Sequence, residues 1–289
     1  MKKILVIGGN GQLGNCFKKL SSDFDSQFEF KFVDSQEADI TDRNAILDLF
    51  NDYQPHFCIN AAAYTAVDLA EKEVEKAFAV NADGVANLAE ASQESRTVLI
   101  HISTDYVFDG ESNISYSEDN FTNPQGVYGA SKLKGEELAT DLNPKTIIIR
   151  TSWLYSEFNK NFVKTMLHLF STKEELGIVS DQFGQPTNAN DLAEAVMKII
   201  ESDPKTFGVF HFSNYPETNW FEFASKIAAF SDSKIKLNAI TTADFPTPAK
   251  RPQRSTMALD KIEHVYGIEP EYWEHSLKNC IEILAKTNE

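Results

Sequence analysis

Short apolar runs alternate with amphipathic stretches along the first half of the chain. The runs are rich in β-branched and aromatic residues, as in buried strands, and the stretches between them repeat apolar positions with helical spacing. The predicted strands lie at residues 3–7, 28–33, 57–60, 98–103 and 146–151. The predicted helices lie at residues 12–20, 43–53, 70–92 and 128–138. This alternation predicts βαβ units around a doubly wound parallel sheet, an α/β fold of the Rossmann type.

Beyond residue 150 the pattern changes to helical segments separated by loops rich in Asp, Asn, Pro and Gly. The predicted helices there lie at residues 162–170, 191–201 and 220–230, and residues 209–212 could add one more strand to the sheet. We therefore expect a dinucleotide-binding domain over residues 1–152, to which residues 174–212 return. Residues 153–173 and 213–289 are expected to form a smaller, interleaved substrate-binding lobe.

Composition narrows the possible classes of protein. The 289 residues are 42% hydrophobic and 24% charged, which is typical of a globular chain, and the net charge of -16 argues against binding to nucleic acid or to an anionic membrane. Cys16, Cys58 and Cys280 lack the spacing of a disulfide framework or a zinc site, and the histidines lack metal-ligand spacing. We therefore expect no metal site. The first apolar run stops at Gly8 and is too short for a secretory signal, so we expect a cytoplasmic protein.

Glycines at positions 8, 11 and 14 follow the first predicted strand and open the first predicted helix. Gly8 would allow a tight turn, Gly11 would let the backbone approach a pyrophosphate, and Gly14 would let the helix pack closely on the strand. The helix N-terminus would face the phosphate charge. A plain turn between strand and helix is the alternative, but the position of the loop at the start of the chain favours a dinucleotide site.

Two acidic residues lie where an adenosine could be held. Asp34 ends the second strand roughly 20 residues after the glycine loop, where a carboxylate can bind the adenine ribose and repel a 2′-phosphate, which favours NADH. An Asp exposed to solvent at a strand end is an equally good interpretation. Asp39 could touch the adenine, whereas Asp42 is predicted to cap the next helix. Small residues at 60–63, after the third strand, leave room for a flat ligand.

Tyr128 and Lys132 give the most specific chemical signal. Residues four apart share one face of a helix, and an ammonium beside a phenol lowers the phenol's pKa, which makes Tyr128 a usable proton donor to a carbonyl oxygen. Thr104, at the end of a buried strand, could align that oxygen. A surface Tyr/Lys pair and an ordinary strand-end cap are the alternatives. The three elements together favour a reductase.

The motifs together resemble the extended short-chain dehydrogenase/reductase family, over almost the whole chain. The resemblance is carried by residues 8–14, 60–68, 103–108, 128–136, 150–155, 181–187 and 250–252. Within the family it is closest to the branch that reduces the 4-keto group of a dTDP-6-deoxy-L-hexulose to dTDP-L-rhamnose, with NADH or NADPH as cofactor. The resemblance implies a dTDP-sugar substrate and a catalytic triad of Thr104, Tyr128 and Lys132.

The resemblance also implies the binding residues. Those expected to contact the cofactor, besides Tyr128 and Lys132, are Gly8, Gly11, Gln12, Leu13, Asp34, Asp39, Ile40, Ala62, Ala63 and Tyr64. Those expected to contact the substrate are Val67, Thr104, Tyr106, Trp153 and Arg251. Aromatic rings suit the apolar faces of a sugar, and Lys250 and Arg251 could meet the diphosphate.

Magnesium and oligomeric state form a separate question. Some family members dimerise through magnesium held by glutamates at positions that here are Asn15 and Asn190. A neutral amide is a weaker magnesium ligand than a carboxylate, so we expect a monomer or homodimer without a bridging metal.

Two other functions fit the same motifs. One is another nucleotide-sugar ketoreductase, epimerase or dehydratase, which Asp105 beside Thr104 leaves open. The other is a non-enzymatic regulatory subunit like that of methionine adenosyltransferase, which resembles the same family. Consumption of NADH or NADPH with a keto sugar nucleotide would separate an enzyme from a regulatory subunit.

Overall fold

A parallel sheet lies at the centre of the computed structural model, which describes residues 1–287. The strands are β1 Lys2–Ile7, β2 Phe28–Val33, β3 Phe57–Asn60, β4 Val98–Thr104, β5 Thr146–Thr151, β6 Leu154–Tyr155, β7 Glu175–Val179, β8 Phe183–Gly184, β9 Thr187–Asn188, β10 Gly208–His211, β11 Thr218–Asn219 and β12 Lys236–Ile240. The helices are α1 Gln12–Ser21, α2 Arg43–Tyr53, α3 Val67–Ala70, α4 Val74–Phe78, α5 Gly84–Glu94, α6 Val127–Leu142, α7 Phe162–Thr172, α8 Ala189–Glu201, α9 Trp220–Phe230, α10 Asp260–Tyr266 and α11 Trp273–Thr287.

The six-stranded sheet has the order β10-β5-β4-β3-β1-β2, and every neighbouring pair is parallel. The chain runs from β1 outward to β2 on one side and then crosses to β3 on the other. A crevice therefore opens at the carboxyl ends of β1 and β3, which is where open α/β sheets bind their ligands. The predicted α/β fold of the Rossmann type is confirmed.

Both faces of the sheet are buried, as parallel sheets require. Along β1, Ile4 and Val6 pack into one hydrophobic cluster with α1 and α8, whereas Leu5 and Ile7 pack into a second cluster with α2 and α5. A third cluster joins α7, α9 and α11 outside the central sheet. Cys16, Cys58 and Cys280 are free and buried within these clusters.

The predicted helix over residues 70–92 is wrong as a single element. The structure has α3, a break, α4, a π-helical turn at Ala79–Asp83, and then α5. The buried side chain of Asn81 lies in the π-helical turn and binds both backbone groups of Tyr64, at 2.8 Å and 3.1 Å. These tertiary hydrogen bonds involve a segment outside the helix, so no helical periodicity could reveal them.

The return of the chain to the central sheet also begins later than predicted. Residues 175–179 form β7, which pairs with β12 of the C-terminal segment and not with the central sheet. The return begins with α8, which packs on α1, and continues with β10 beside β5. The wider division into two lobes stays a prediction. Within residues 1–287, no helix has the length and apolar character that crossing a bilayer requires.

Candidate active site

A cleft of about 520 Å³ lies at the carboxyl ends of the central strands. It brings together most of the residues that the sequence predicted to bind the cofactor, to catalyse the reaction or to bind the sugar. The predicted residues that line it are Gly11, Gln12, Leu13, Ala62, Ala63, Val67, Thr104, Tyr106, Tyr128, Lys132 and Trp153. Segments more than a hundred residues apart in the chain thus form one site.

The glycine loop packs so closely against neighbouring backbone that side chains would not fit at two of its positions. Gly8 has φ +79°, and a Cβ there would lie 2.7 Å from the backbone nitrogen of Ala62, while a Cβ on Gly14 would overlap the carbonyl oxygen of Gly8. Gly11 is the N-cap of α1 and supplies no capping side chain. The first turn of α1 therefore meets the cleft without a side-chain cap, and a pyrophosphate fits such a helix N-terminus.

Thr104 ends β4 beside a buried carboxylate. Its hydroxyl accepts a hydrogen bond from the backbone N–H of Tyr106 at 3.2 Å and donates one to Oδ1 of Asp105 at 3.0 Å. Burial raises the pKa of Asp105 to about 6, against the opposing effect of hydrogen bonds from Ser255 and Thr104. From the sequence, Asp105 was expected only as a possible dehydratase group.

Tyr128 begins the first turn of α6, with its ring packed edge-to-face on Tyr106 at a centroid distance of 5.5 Å. Burial raises the pKa of Tyr128 above its usual value, and a hydrogen bond with Thr104 opposes this rise. The expected fall in the pKa of this phenol is therefore wrong, because burial has the largest effect and raises it. Desolvation disfavours the phenolate, and Lys132 has other partners.

Lys132 is buried behind the cleft surface. Its ammonium nitrogen donates to the carbonyl oxygen of Ile102 at 2.7 Å and lies 3.3 Å from Nε2 of His101. Burial lowers the pKa of Lys132 to about 8, and the carboxylate of Glu136 opposes this effect. Lys132 can therefore change its protonation state near neutral pH.

A buried ion pair fixes α6 on the sheet. Arg150 Nη2 lies 2.6 Å from Oε2 of Glu136, and Ser103 donates its hydroxyl proton to Oε1 of Glu136 at 2.5 Å. Since Ser103 lies on β4 and Arg150 lies on β5, the carboxylate ties α6 to both strands. This contact orients the helix face that carries Tyr128 and Lys132.

Two stacked indoles line one side of the cleft. Trp153 has φ +45°, a left-handed conformation, and its ring lies 3.6 Å from that of Trp220 at an interplanar angle of 10°. Gly184 lies against the Trp153 ring, where a Cβ would come within 2.8 Å. Trp220 was not predicted, because it lies among other aromatic residues at the start of α9 and outside any recognised motif.

An adjoining pocket of about 500 Å³ continues the cleft. Arg251 lines it, donating to the Tyr106 hydroxyl at 3.5 Å and pairing with Asp68 at 2.7 Å. Asp68 lies within the motif at residues 60–68, yet sequence reasoning gave it no role. Lys250 lies outside both pockets, and its side chain is exposed.

The acidic residues predicted to hold the adenosine have local hydrogen-bond partners. The carboxylate of Asp34 accepts hydrogen bonds from the Asn10 side chain and from the backbone N–H groups of Gln36 and Glu37. Asp39 accepts hydrogen bonds from the backbone and hydroxyl of the residue two positions on, both at 2.9 Å. Asp42 caps α2, as expected.

Two predicted cofactor residues point into the protein, and their side chains are not placed on the cleft. Ile40 packs in the hydrophobic cluster with α2 and α5, where it contacts Gly84. Tyr64 is buried, and its hydroxyl donates to Glu73 at 3.1 Å. The sequence could not distinguish these inward positions from neighbouring residues that face the cleft.

The two asparagines at the positions of the family's magnesium ligands are already hydrogen-bonded. The Asn15 amide donates to two backbone carbonyls of the glycine loop. The Asn190 amide donates to Glu157 at 2.8 Å, and Glu157 also pairs with Lys19 at 2.8 Å. Among residues 1–287 no group of three or more His, Cys, Asp or Glu side chains is arranged to hold a metal.

The whole chain is similar to proteins of one known family. The chain matches the RmlD substrate binding domain family over residues 1–286. It is 43% identical to a dTDP-4-dehydrorhamnose reductase of Aggregatibacter actinomycetemcomitans, over 96% of this chain and 98% of that protein. A crystal structure of such a reductase from Clostridium acetobutylicum has a TM-score of 0.94 at 41% identity, over 98% of this chain and 99% of that one. The Bacillus anthracis reductase in complex with NADP has a TM-score of 0.93 at 37% identity, over 98% and 100%.

Proposed function

The chain belongs to the family of dTDP-4-dehydrorhamnose reductases, and on that premise we propose that it reduces dTDP-4-dehydro-L-rhamnose to dTDP-L-rhamnose. NADH or NADPH is the reductant. The observation that carries this proposal is the convergence of Thr104, Tyr128 and Lys132 on the same cleft as the N-terminus of α1. A phosphate-binding end and a proton-donating end in one cleft suit hydride transfer to a carbonyl.

The residues of the cleft fit a nicotinamide dinucleotide. The first turn of α1 would hold the pyrophosphate, and Ala62 and Ala63 leave room for a flat ring beside the backbone. Asp34 directly follows β2 beside the glycine loop, within reach of an adenine ribose, although its carboxylate is already hydrogen-bonded. When bound, the reduced nicotinamide supplies a hydride to carbon 4 of the sugar.

Tyr128 would donate the proton that the reduced carbonyl oxygen needs. Burial raises the pKa of Tyr128, so its hydroxyl carries a proton at neutral pH, and giving that proton up requires a group that stabilises the phenolate. Thr104, hydrogen-bonded to Tyr128, would orient the keto oxygen. Lys132, one turn further along α6, would stabilise the phenolate that forms after proton transfer.

The sugar nucleotide would span the cleft and the adjoining pocket. Tyr106 and Val67 line both spaces, so they mark where the sugar joins the rest of the ligand. Trp153, backed by Trp220, offers a flat apolar surface to the sugar ring. Arg251 would bind the diphosphate from the pocket side, where Asp68 holds its guanidinium in place.

The test supplies dTDP-4-dehydro-L-rhamnose with NADH or NADPH and follows the loss of reduced cofactor. Identification of the product sugar by NMR completes the assay. We expect one dTDP-L-rhamnose for each cofactor oxidised. If a folded, cofactor-binding protein gave no reduction, the proposal would be overturned and the regulatory-subunit alternative would be favoured.

A further inference from the structure

A lysine on α1 lies next to the expected adenosine site and has no carboxylate partner. The ammonium nitrogen of Lys18 donates to Oδ1 of Asn10 at 2.6 Å and lies 5.7 Å from the centre of the Phe32 ring on β2. In the described part of the chain Lys18 forms no ion pair, whereas Lys19, the next residue, pairs with Glu157 at 2.8 Å. Lys18 is therefore an exposed cation without a charge partner, in a chain of net charge -16.

The side chain of Asn10 connects this cation to a carboxylate. Its amide oxygen accepts the hydrogen bond from Lys18, and its amide nitrogen donates to Oδ2 of Asp34. Oδ1 of Asp34 accepts from the backbone N–H groups of Gln36 and Glu37. An ammonium, an amide and a carboxylate thus form a row beside the glycine loop.

This row lies where the adenine ribose of a dinucleotide would be held. Asp34 directly follows β2, and an acidic residue at this position binds the ribose 2′-hydroxyl in sheets of this type. Asn10 lies in the glycine loop, where its carbonyl oxygen accepts hydrogen bonds from the side chains of Asn15 at 3.1 Å and Asn159 at 3.0 Å. These contacts fix the backbone from which the Asn10 amide reaches Asp34.

The two forms of the cofactor make opposite demands on the row. The 2′ position of the adenine ribose carries a hydroxyl in NADH and a phosphate in NADPH. A hydroxyl can donate to a carboxylate, whereas a phosphate is repelled by a carboxylate and is bound by cations and N–H donors. Asp34 meets the first demand. Lys18 meets the second, because its flexible stem lets the ammonium leave Asn10 for a phosphate oxygen.

We propose that Lys18 binds the 2′-phosphate of NADPH, with the Asn10 amide as a second donor, and so offsets the preference for NADH that Asp34 alone would give. Lys18 is then a residue that determines cofactor specificity and takes no part in the proton transfer. The inference rests on the proposed reductase function, in which this loop binds the cofactor.

The other charged groups at this end of the site predict how far the offset goes. Oε2 of Glu37 accepts a hydrogen bond from the backbone N–H of Asp34 at 3.1 Å, so a second carboxylate lies beside the first. One ammonium therefore faces two carboxylates. We expect the enzyme to accept both cofactors, because neither charge acts alone on the 2′ position.

The test measures the binding of NADH and of NADPH to the enzyme without sugar nucleotide, by isothermal titration calorimetry. Lys18→Gln keeps a long polar side chain with similar helix propensity and removes the charge. It should weaken NADPH binding by about tenfold or more and NADH binding by less than about twofold, because only NADPH presents a phosphate to the ammonium. Lys19→Gln is the matched control on the same helix, since Lys19 pairs with Glu157 and should affect neither cofactor.

Asp34→Asn tests the opposing charge. Without the carboxylate the 2′-phosphate is no longer repelled, so the ratio of the two dissociation constants should move toward NADPH by about tenfold. Salt gives a measurement that needs no variant. Raising it from about 50 mM to about 500 mM should weaken the binding of NADPH more than that of NADH, because the ion pair with Lys18 is exposed and screened.

The outcomes separate this inference from the proposed function. A loss of affinity confined to NADPH in Lys18→Gln, and absent in Lys19→Gln, supports the inference. Equal losses for both cofactors, unchanged NADPH affinity, or the same effect in Lys19→Gln overturns it. If Lys18→Gln does not fold, the salt dependence of the wild type decides. Binding of NADH alone overturns the inference and leaves the reductase function intact, whereas selective binding without reduction of the sugar nucleotide overturns only the function.

Discussion

At the residue scale, the candidate proton donor is held in its protonated form by its surroundings. Burial raises the pKa of Tyr128, and the hydrogen bond with Thr104 only partly offsets this effect. A raised pKa keeps the proton on the hydroxyl at neutral pH, so its transfer to a carbonyl oxygen depends on stabilisation of the phenolate that remains. The ring itself is held by its edge-to-face contact with Tyr106, which does not depend on the hydroxyl.

Tyr128→Phe should therefore keep the ring in place and remove only the acid. We expect kcat to fall by roughly 10² or more, with little change in the affinity for NADH or NADPH. Steady-state kinetics and cofactor fluorescence measure the two quantities. Tyr53→Phe is a matched control, because its hydroxyl binds the carbonyl of Glu29 away from the cleft. Wild-type turnover in Tyr128→Phe would remove Tyr128 from the mechanism.

Asp105 predicts a pH dependence of stability. Burial raises its pKa from 3.8 to about 6, because the buried site favours the neutral carboxyl over the carboxylate. The resulting contribution to the free energy of unfolding is fully present below pH 3.8 and is lost as the pH rises through 6. Asp105→Asn should then stabilise the protein by about 3 kcal/mol at about pH 8 and by roughly half as much at about pH 5. Urea unfolding at the two pH values measures this.

Asp109→Asn is the control of opposite sign for this experiment. The Tyr116 hydroxyl lowers the pKa of Asp109, so its carboxylate stabilises the fold above its ordinary pKa. Removing that carboxylate should destabilise the protein at both pH values. A stabilisation by Asp105→Asn that does not grow with pH would show that the carboxylate is not penalised by burial.

Arg251 tests the position of the sugar nucleotide. Arg251→Ala should mainly raise KM, because a contact to a non-reacting phosphate acts alike on the ground and transition states. A loss of about 1.5–3 kcal/mol in binding free energy corresponds to an increase in KM of roughly 10- to 150-fold. Lys250→Ala is the matched control, since that side chain binds Glu111 and Gln125 outside both pockets. Equal effects of the two variants, or a loss confined to kcat, would contradict the assignment.

At the element scale, α6 carries the candidate acid and lysine, and the Glu136–Arg150 pair anchors the helix to β4 and β5. Both side chains are buried, with 5% and 4% of their surface exposed. A buried ion pair adds little to the stability of the fold compared with apolar residues of similar size. Removing one partner, however, destabilises the fold, because it leaves an uncompensated buried charge. The pair therefore matters most for keeping α6 in one position.

Glu136→Ala should destabilise the fold by about 3–5 kcal/mol, because Arg150 is left charged and buried. Glu137→Ala removes the next carboxylate on the same helix, where Glu137 forms an exposed pair with Lys134, and should cost about 1 kcal/mol or less. Urea unfolding of both variants gives the comparison. Similar losses for the two would mean that the buried pair does not anchor α6.

At the scale of the whole molecule, the sheet order brings the ends of β1, β3 and β4 to one edge, and the C-terminal half covers that edge with aromatic side chains. Beside α1 and α8, Asn190 points its NH₂ group at the carboxylate of Glu157. An amide NH₂ group is a donor and cannot ligate a cation.

Activity and assembly should therefore survive removal of divalent cations. We expect the same kcat and the same sedimentation behaviour, as a monomer or homodimer, before and after treatment with EDTA. Reductase assays and analytical ultracentrifugation with EDTA, and again after adding magnesium, provide the measurement. Loss of activity or of a dimer that magnesium restores would show that the site binds metal despite the two asparagines.

The sequence by itself determined the sheet and the choice of candidate reacting groups. Buried strands and amphipathic helices produce local periodicities, and the Tyr128–Lys132 spacing lies within one helix, so both can be read without knowing the tertiary structure. For the same reason the glycine loop was recognised from three positions at the start of α1. These features depend only on neighbours along the chain.

The tertiary structure alone decided which partners surround those groups. The stacking of Trp220 on Trp153, the pairing of Asp68 with Arg251, and the contact of Lys132 with His101 join positions from separate elements. The pKa of Tyr128 rose where the helical spacing predicted a fall, because burial and hydrogen-bond partners depend on the packed environment. Periodicity places a side chain on a face of its element, whereas its protonation depends on every group packed against that face.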